Sequence, residues 1–243
     1  MENTLTEIEK IQTGIEGFDK LTYGGLPRGR AYLVSGEPGT GKTIFTLQYL
    51  LEGLKNGEKA TYISIDEKPT HIIADAHALG WDLTPYLEKG QLQIIDITEY
   101  FGSTQDKAGN KLNITNIVTN IKNFIHNHGS QRVAIDPIAP LIFSDSEVSS
   151  VIQYIRSLIF TVESIKDCTT LLTSYIPVGS DKVSCFGIEE FAASGIIVLK
   201  LITQNNKRIR SIGVRKMRST RIDLSEYSYE ILPNRGLTLR QPL

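Results

Sequence analysis

The sequence has little of several features whose abundance would mark a particular class of protein. Only two of its 243 residues are cysteine, Cys168 and Cys185. They match no metal-ligand spacing and make no disulfide framework, so we expect packed or incidental thiols in a reducing compartment. The formal net charge is −1, which excludes a global basic field for nucleic acid.

Long apolar runs are also missing. No run approaches the roughly 20 residues needed to span a bilayer, and the first residues lack the basic and apolar regions of a signal peptide. We therefore expect a cytoplasmic protein that makes no membrane contact. Apolar residues make up 40% of the chain and charged residues 22%, which is usual for a folded domain with a buried core.

Up to about residue 175, short apolar runs alternate with segments of helical periodicity. The predicted strands are Ala31–Ser35, Thr61–Ile65, Leu92–Ile95, Gln131–Asp136 and Thr170–Ser174. The predicted helices run from Lys42 to the Asn56-Gly57 pair, from Pro69 to about Leu79, from Leu112 to His126 and from Val148 to Ile165, with a surface loop over Glu99–Lys111. This alternation predicts an α/β fold with a doubly wound, mostly parallel sheet.

The end of the chain has a different pattern, in which strands follow one another through short turns. Gly195–Leu201, Arg208–Lys216 and Tyr227–Leu232 are predicted strands, and the segment Gln204-Asn205-Asn206-Lys207 predicts a hairpin. We expect a C-terminal antiparallel β extension of the sheet. Without an internal repeat or a low-complexity linker, a single domain over residues 1–243 is predicted.

The most specific motif is a phosphate-binding loop, or P-loop (Walker A). Gly36-Glu37-Pro38-Gly39-Thr40-Gly41-Lys42-Thr43 satisfies every position of G-x-x-x-x-G-K-S/T and lies between a predicted strand and a predicted helix. Glycines let backbone N–H groups approach phosphate oxygens, and the helix directs its positive end at the same place. We expect Pro38 to Thr43 to bind ATP, with Lys42 on the terminal phosphates and Thr43 as a Mg²⁺ ligand.

A second acid near Mg²⁺ is expected at the end of an apolar strand. Asp136, which follows Arg132-Val133-Ala134-Ile135, fits this place, although an acid can also simply cap a strand end. Pro137 comes next, so the group that activates water is not beside Asp136 on the same strand. Asp66 and Glu67 end the strand after the P-loop helix and are our candidates for that base, against the alternative of a solvated acidic pair.

Several ordered segments together resemble the RecA superfamily and, within it, the KaiC branch with its single-domain KaiC-like proteins and archaeal RadA paralogues. The segments are Thr13-Gly14-Ile15, Phe18-Asp19, Gly24-Gly25-Leu26-Pro27-Arg28-Gly29, Asp66-Glu67-Lys68-Pro69, Gly80-Trp81-Asp82-Leu83, Gly187-Ile188-Glu189-Glu190-Phe191 and Lys216-Met217-Arg218. The resemblance covers nearly the whole chain. It implies a RecA-like fold, and it puts Asp66 and Glu67 on the family's paired catalytic glutamates.

The resemblance also implies an assembly. Family members form rings, commonly hexamers, with ATP held between neighbouring subunits. Lys216 and Arg218 are then expected to reach the γ-phosphate of the next subunit as lysine and arginine fingers, and their alternation along a strand would put both on one face. Without the resemblance, an exposed basic strand face would be the preferred interpretation.

Two departures from the family pattern change the expected activity. The first of the paired glutamates is Asp66 here, one methylene shorter, so hydrolysis is expected to be slow or to depend on Glu67. The Ser-Thr pair that KaiC phosphorylates in its second repeat falls near Glu190-Phe191, so autokinase activity is not expected. KaiC has two such domains and this chain has one, so a clock function does not follow.

The sequence is compatible with three hypotheses for the use of ATP. One is an accessory in DNA recombination or repair that contacts single-stranded DNA, although the DNA-facing loop expected at Pro177–Phe186 holds one cation, Lys182. Another is a nucleotide-gated assembly or signalling module that recruits another protein. The third is an assembly that binds ATP but scarcely hydrolyses it.

Overall fold

The centre of the fold is a nine-stranded sheet, seen in a computed structural model that describes residues 8–98, 114–138, 148–204 and 206–243. The strands in chain order are β1 (Lys10–Ile11), β2 (Leu26–Pro27), β3 (Ala31–Gly36), β4 (Ala60–Ser64), β5 (Leu92–Asp96), β6 (Arg132–Asp136), β7 (Thr169–Tyr175), β8 (Gly195–Gln204), β9 (Lys207–Met217), β10 (Tyr227–Leu232) and β11 (Gly236–Pro242). β1 and β2 form a separate antiparallel pair. The large sheet has the order β11-β10-β9-β8-β3-β7-β6-β4-β5.

The strand pairing changes from parallel to antiparallel at β8. Every pair from β8 through β3, β7, β6 and β4 to β5 is parallel, whereas β8, β9, β10 and β11 pair antiparallel. The predicted fold class, a RecA-like, doubly wound and mostly parallel sheet with a C-terminal antiparallel extension, is therefore confirmed. Because parallel strands end at a common edge, β3, β4, β6 and β7 bring the segments that follow them together.

Helices cover both faces of the parallel part. They are α1 (Phe18–Leu21), α2 (Lys42–Lys55), α3 (Pro69–Ala78), α4 (Thr84–Glu88), α5 (Ile114–His128), α6 (Val148–Glu163) and α7 (Glu189–Ala192). Successive residues of β3 enter opposite cores: Tyr32 and Val34 pack with α2, while Ala31 and Leu33 pack with α5 and α6. This division follows from the two-residue period of a strand, and it explains why β3 is apolar throughout.

Helix α2 carries the P-loop at its start and is fixed by its buried face. Leu47, Leu50, Leu51 and Leu54 are almost completely buried, as expected from their helical spacing. The helix ends at Lys55, and Gly57 follows with a φ of 82°. The Asn56-Gly57 pair therefore closes the helix where the sequence predicts.

The predicted elements that lie in the described ranges agree with the structure to within a few residues. β8 and β9 extend farther into their hairpin than predicted, and Gln204 pairs with Lys207. β11 was not predicted, and neither were the short elements β1, β2, α1, α4 and α7. The predicted surface loop Glu99–Lys111 and the first two residues of the helix predicted from Leu112 lie outside the described residues.

Strand β11 pairs antiparallel with β10 through a short turn, and contacts from a residue remote in sequence add to this pairing. The Gln48 side chain in α2 accepts a 2.8 Å hydrogen bond from Leu237 N and donates to the carbonyl groups of Gly14 and Arg235 at 2.9 Å. No helix in the described ranges is long and apolar enough to cross a membrane.

Candidate nucleotide site

The P-loop connects β3 to α2, in the context that its motif requires. Gly39 and Gly41 have φ values of 80° and 88°, a region that glycine adopts without steric cost. The first turn of α2 has no acidic residue, so the positive end of the helix faces the loop uncompensated. The Lys42 ammonium is 2.9 Å from the Gly36 carbonyl oxygen and 3.1 Å from that of Glu37.

Lys42 therefore holds its positive charge directly over the loop. Burial lowers the pKa of its ammonium, and the negative charge of Asp136 opposes that change. A cation that has lost part of its hydration here gains more from an anion than one in open water does. The position suits the terminal phosphates of a nucleotide.

Asp136 lies at the end of β6, and hydroxyl donors from three other elements surround its carboxylate. Thr43 Oγ1 donates to Asp136 Oδ2 at 2.7 Å, and the Tyr62 hydroxyl donates to the same oxygen at 2.6 Å. Thr173 Oγ1 donates to Oδ1. The carboxylate is therefore held against the first turn of α2, as the sequence predicts for an acid that shares a cation with Thr43.

Asp66 and Glu67 enter the same space from the end of β4. Glu67 N donates a 3.2 Å hydrogen bond to Ser64 Oγ, which fixes the turn after the strand. The resulting cleft has a volume of about 470 Å³. Its lining residues are Thr43, Asp66, Glu67, Lys68, His71, Asp136 and Pro137.

Both acids of this turn are more easily protonated than a carboxyl in water. Partial burial is the main cause that raises the pKa of Asp66, followed by the charge of Asp136. Burial also raises the pKa of Glu67, helped by the charges of Asp75 and Asp136 and opposed by His71. A raised carboxyl pKa makes a stronger base, which suits the polarisation of a water molecule.

The residues of this cleft fit Mg²⁺ bound to a nucleotide. The single proton of the Thr43 hydroxyl is directed at Asp136, so the lone pairs of Oγ1 remain for a cation. Mg²⁺ prefers hydroxyl, carboxylate and phosphate oxygens, which are the groups that Thr43, Asp136 and a P-loop phosphate offer. Within the described residues, no cluster of histidine, cysteine and acidic side chains forms a separate metal site.

Comparisons with known proteins agree with this geometry. A family model described as "ATPase: KaiC" matches residues 11–242. The chain belongs to the KaiC family of ATPases. It is 34% identical over 238 residues to the circadian clock oscillator protein KaiC of Parathermosynechococcus lividus, and 36% identical over 215 residues to the KaiC of Prochlorococcus marinus subsp. pastoris.

The KaiC relatives are longer than this chain. The match with the P. lividus protein covers 97% of this chain but 43% of the relative, and the match with the P. marinus protein covers 88% and 42%. A KaiC-like protein of the archaeon Pyrococcus horikoshii has a solved structure that matches with a TM-score of 0.83 and 30% identity, over 97% of this chain and 100% of that one. The KaiC branch of the RecA superfamily, predicted from the sequence, is therefore confirmed.

The predicted fingers of this KaiC-family chain lie away from its own P-loop. In the sheet register, Gly36 pairs with Leu199, whereas Lys216 pairs with Ile196. Leu199 and Ile196 are three residues apart in β8, so the two pairings lie roughly 10 Å apart along the strand. β9 also runs antiparallel to β3, so its last residues lie toward the edge opposite the loop.

The side chains of both fingers contact helix α7. Lys216 Nζ donates to the carbonyl oxygens of Glu190 and Ala193, each at 2.8 Å, and Arg218 donates to that of Phe191 at 3.1 Å. Burial lowers the pKa of Lys216, and the positive charge of Arg218 adds to this effect. The two cations form one charged patch beside the exposed Phe191 ring and are not brought to the cleft of their own chain.

Two side chains of the C-terminal strands contact the P-loop, and sequence analysis missed both. The Tyr229 hydroxyl donates to the Thr40 carbonyl oxygen, and Arg210 Nε donates to that of Gly39 at 3.4 Å. Tyr229 pairs with Arg210 across β10 and β9. No motif signals these contacts, because they depend on how the antiparallel extension lies against the loop.

Tyr62 and Thr173 were also not identified as partners of Asp136. The position of Thr173 and Ser174, at the end of a strand near the nucleotide edge, suggests a γ-phosphate sensor, but the acceptor of Thr173 could not be read from the sequence. Neighbouring Ser174 donates instead to Glu189 at 3.0 Å. Trp81 is 8% exposed and is the packing residue that its place after Gly80 predicts.

Proposed function

We propose that this KaiC-family domain, taken as one unit over residues 1–243, binds ATP with Mg²⁺ and hydrolyses it slowly. The observation that carries the proposal is the hydrogen bond between Thr43 and Asp136 in the cleft that also contains Asp66 and Glu67. These residues lie together and supply what phosphoryl transfer to water requires: a loop that binds the phosphates, a site for a cation, an acid that binds the cation, and a base.

Each residue then has a separate task. Pro38 to Thr43 enclose the phosphates with backbone N–H groups, Lys42 neutralises terminal phosphate charge, and Thr43 with Asp136 holds Mg²⁺, which balances charge on the phosphate oxygens when bound. Glu67, with Asp66 beside it, orients the attacking water and accepts its proton. A second cleft of about 440 Å³ adjoins the loop and has Ile44, Leu47, Leu79 and Ile231 in its lining, which suits the apolar faces of a nucleobase.

The proposed active form is a homo-oligomeric ring, expected to be a hexamer. Lys216 and Arg218 lie toward the sheet edge opposite the P-loop and contact α7, which supports their action on a neighbour's nucleotide. A head-to-tail contact that repeats this arrangement closes into a ring. Each site then takes its loop from one subunit and its two cations from the next.

Phosphate release and particle size test this proposal together. Purified chain should release phosphate from ATP in Mg²⁺ and not in excess EDTA. Its mass, measured by light scattering, should rise on addition of ATP. A chain that fails to bind ATP with Mg²⁺ would contradict the nucleotide assignment, while rapid turnover by a strict monomer would contradict the ring.

ATP turnover could drive either recruitment of a protein partner or action on DNA. The surface favours the protein partner. The segment 177–186, where the resemblance expects a DNA-facing loop, carries Lys182 beside Asp181, so its charges cancel. Val178 in the same segment and Leu224 across the adjoining cleft are 72% and 75% exposed. Exposed apolar side chains next to balanced charges suit a protein surface better than a phosphate backbone.

The DNA role, as an accessory in recombination or repair, is tested by single-stranded oligonucleotides at low salt. Fluorescence anisotropy and ATP turnover should both be unchanged if the partner is a protein. Salt-sensitive binding that accelerates turnover would establish the DNA role instead. No autophosphorylation is expected, because Glu190 and Phe191 stand where the resemblance places the phosphorylated pair; labelled phosphate in the washed protein would overturn that expectation.

A further inference from the structure

The Tyr62 hydroxyl donates a hydrogen bond to Asp136, and Tyr62 lies outside the P-loop motif. It lies 2.6 Å from Asp136 Oδ2, the oxygen that also accepts from Thr43. The side chain is 1% exposed. A phenol keeps its proton at neutral pH, so the hydroxyl is a hydrogen-bond donor to this carboxylate.

The strand register explains how a tyrosine reaches this carboxylate. Tyr62 in β4 pairs with Ala134 in β6, and Ser64 pairs with Asp136. Residues two apart in a strand share a face, so Ala134 and Asp136 both lie on the face of Tyr62. The small side chain of Ala134 leaves room for the ring to extend along β6 until its hydroxyl meets Asp136.

The hydrogen bonds from Tyr62 and Thr173 to Asp136 also fix the orientation of the Thr43 hydroxyl. With Tyr62 on Oδ2 and Thr173 on Oδ1, the carboxylate is held from two neighbouring strands. The Oδ2 atom is thereby fixed where the Thr43 proton meets it, and the Oγ1 lone pairs are directed away from Asp136. Groups that orient metal ligands in this way commonly change metal affinity by roughly tenfold or more.

We propose that Tyr62 is a positioning residue that holds Asp136 against Thr43 and thereby sets the affinity of the nucleotide site for Mg²⁺. This inference rests on the proposed function, because it concerns the cation of the same site. Tyr62 touches neither nucleotide nor water in this role. It acts through Asp136.

The test is the Mg²⁺ dependence of nucleotide binding, which needs no turnover. Affinity for a non-hydrolysable ATP analogue is measured by calorimetry in EDTA and across a Mg²⁺ titration, for the wild-type chain and Tyr62→Phe. We expect Tyr62→Phe to raise the Mg²⁺ concentration at half-effect roughly tenfold and to leave the EDTA affinity unchanged. Binding of Mn²⁺, followed by electron paramagnetic resonance, should weaken in parallel.

A matched control removes another buried phenol. The Tyr32 hydroxyl donates to the Pro27 carbonyl oxygen at 2.6 Å, and Tyr32→Phe should leave the Mg²⁺ titration unchanged. Thr173→Val, which removes the donor to the other carboxylate oxygen, should shift it in the same direction as Tyr62→Phe. It provides a second measurement should Tyr62→Phe fold poorly.

The possible results distinguish a failure of the positioning role of Tyr62 from a failure of the proposed Mg²⁺ site. A wild-type chain whose nucleotide affinity ignores Mg²⁺ overturns the proposed metal site itself. A wild-type chain that responds to Mg²⁺, with Tyr62→Phe and Thr173→Val responding identically to it, overturns the positioning role alone. An equal shift in Tyr32→Phe also overturns it, since the effect would then follow from any lost phenol.

Discussion

Thr43 Oγ1 and Asp136 Oδ2 are joined by a 2.7 Å hydrogen bond although 93 positions separate the two residues in the chain. The contact links the first turn of α2 with the end of β6. It brings together the two residues that we propose bind Mg²⁺.

Removal of the Lys42 ammonium should strongly lower ATP turnover. Lys42→Ala is expected to lower turnover by at least about 100-fold, because a preorganised charge at the transferring phosphate contributes several kcal/mol. Phosphate release under saturating Mg·ATP measures the loss. Lys55→Ala, at the far end of the same helix, should retain wild-type turnover; equal losses in both variants would point to unfolding of α2.

The two acids at the end of β4 should differ in effect. Glu67→Gln is expected to lower turnover by about 100-fold or more, as loss of a general base does, while nucleotide affinity is retained. Asp66→Asn should have the smaller effect, because the Asp66 side chain is one methylene shorter. The assignment of the base to this turn is wrong if neither variant lowers turnover.

The pH profile should report the raised pKa of Glu67. The base acts when deprotonated, so kcat should fall as the pH drops through a value above the ordinary glutamate pKa of about 4.3. The charge of Asp75 contributes to the raised pKa. Asp75→Asn should therefore move the acid limb to lower pH, whereas Asp181→Asn in the loop after β7 should leave it in place.

The two predicted finger residues should act between subunits. Lys216→Ala and Arg218→Ala are each expected to lower turnover by about 10³-fold, the lower end of the range for such residues, only in the assembled protein. Mixing either variant with Lys42→Ala subunits should restore part of the activity, because some interfaces then combine an intact loop with intact fingers. Arg215→Ala, one residue earlier in β9, is the control; mixtures without any recovery would place the cations outside the reaction.

Helix α7 should depend on the buried carboxylate of Glu189. Its two oxygens accept hydrogen bonds from Ser174 at 3.0 Å and from Ser184 at 2.9 Å, and the side chain is fully buried. Glu189→Gln should cost about 1–3 kcal/mol of unfolding free energy, because the amide leaves a buried hydroxyl without its acceptor. Urea denaturation measures this loss. Glu190→Gln, whose carboxylate lies 3.1 Å from the same Ser184 hydroxyl, should cost less than half as much.

Much of the fold follows from patterns that short stretches carry by themselves. Apolar runs such as Val133–Ile135 predict buried strands. The helical spacing of the apolar residues after Lys42 predicts α2; these are Ile44, Leu47, Leu50, Leu51 and Leu54. The length and order of these elements then limit the sheet to a doubly wound type. β11 was not predicted; it pairs with β10 through a short turn, and its Leu237 also bonds to Gln48, which is remote in the sequence.

The sequence by itself determined the P-loop, its strand and helix, and the candidate acids, since each is a local pattern of residue types. Only the tertiary structure decided which of them meet. Strand order and register put Asp136 beside Thr43, and they put Lys216 and Arg218 against α7 instead of the cleft. The same register brought Tyr62 and Thr173 to Asp136, because contacts across a parallel sheet join residues that no spacing along the chain connects.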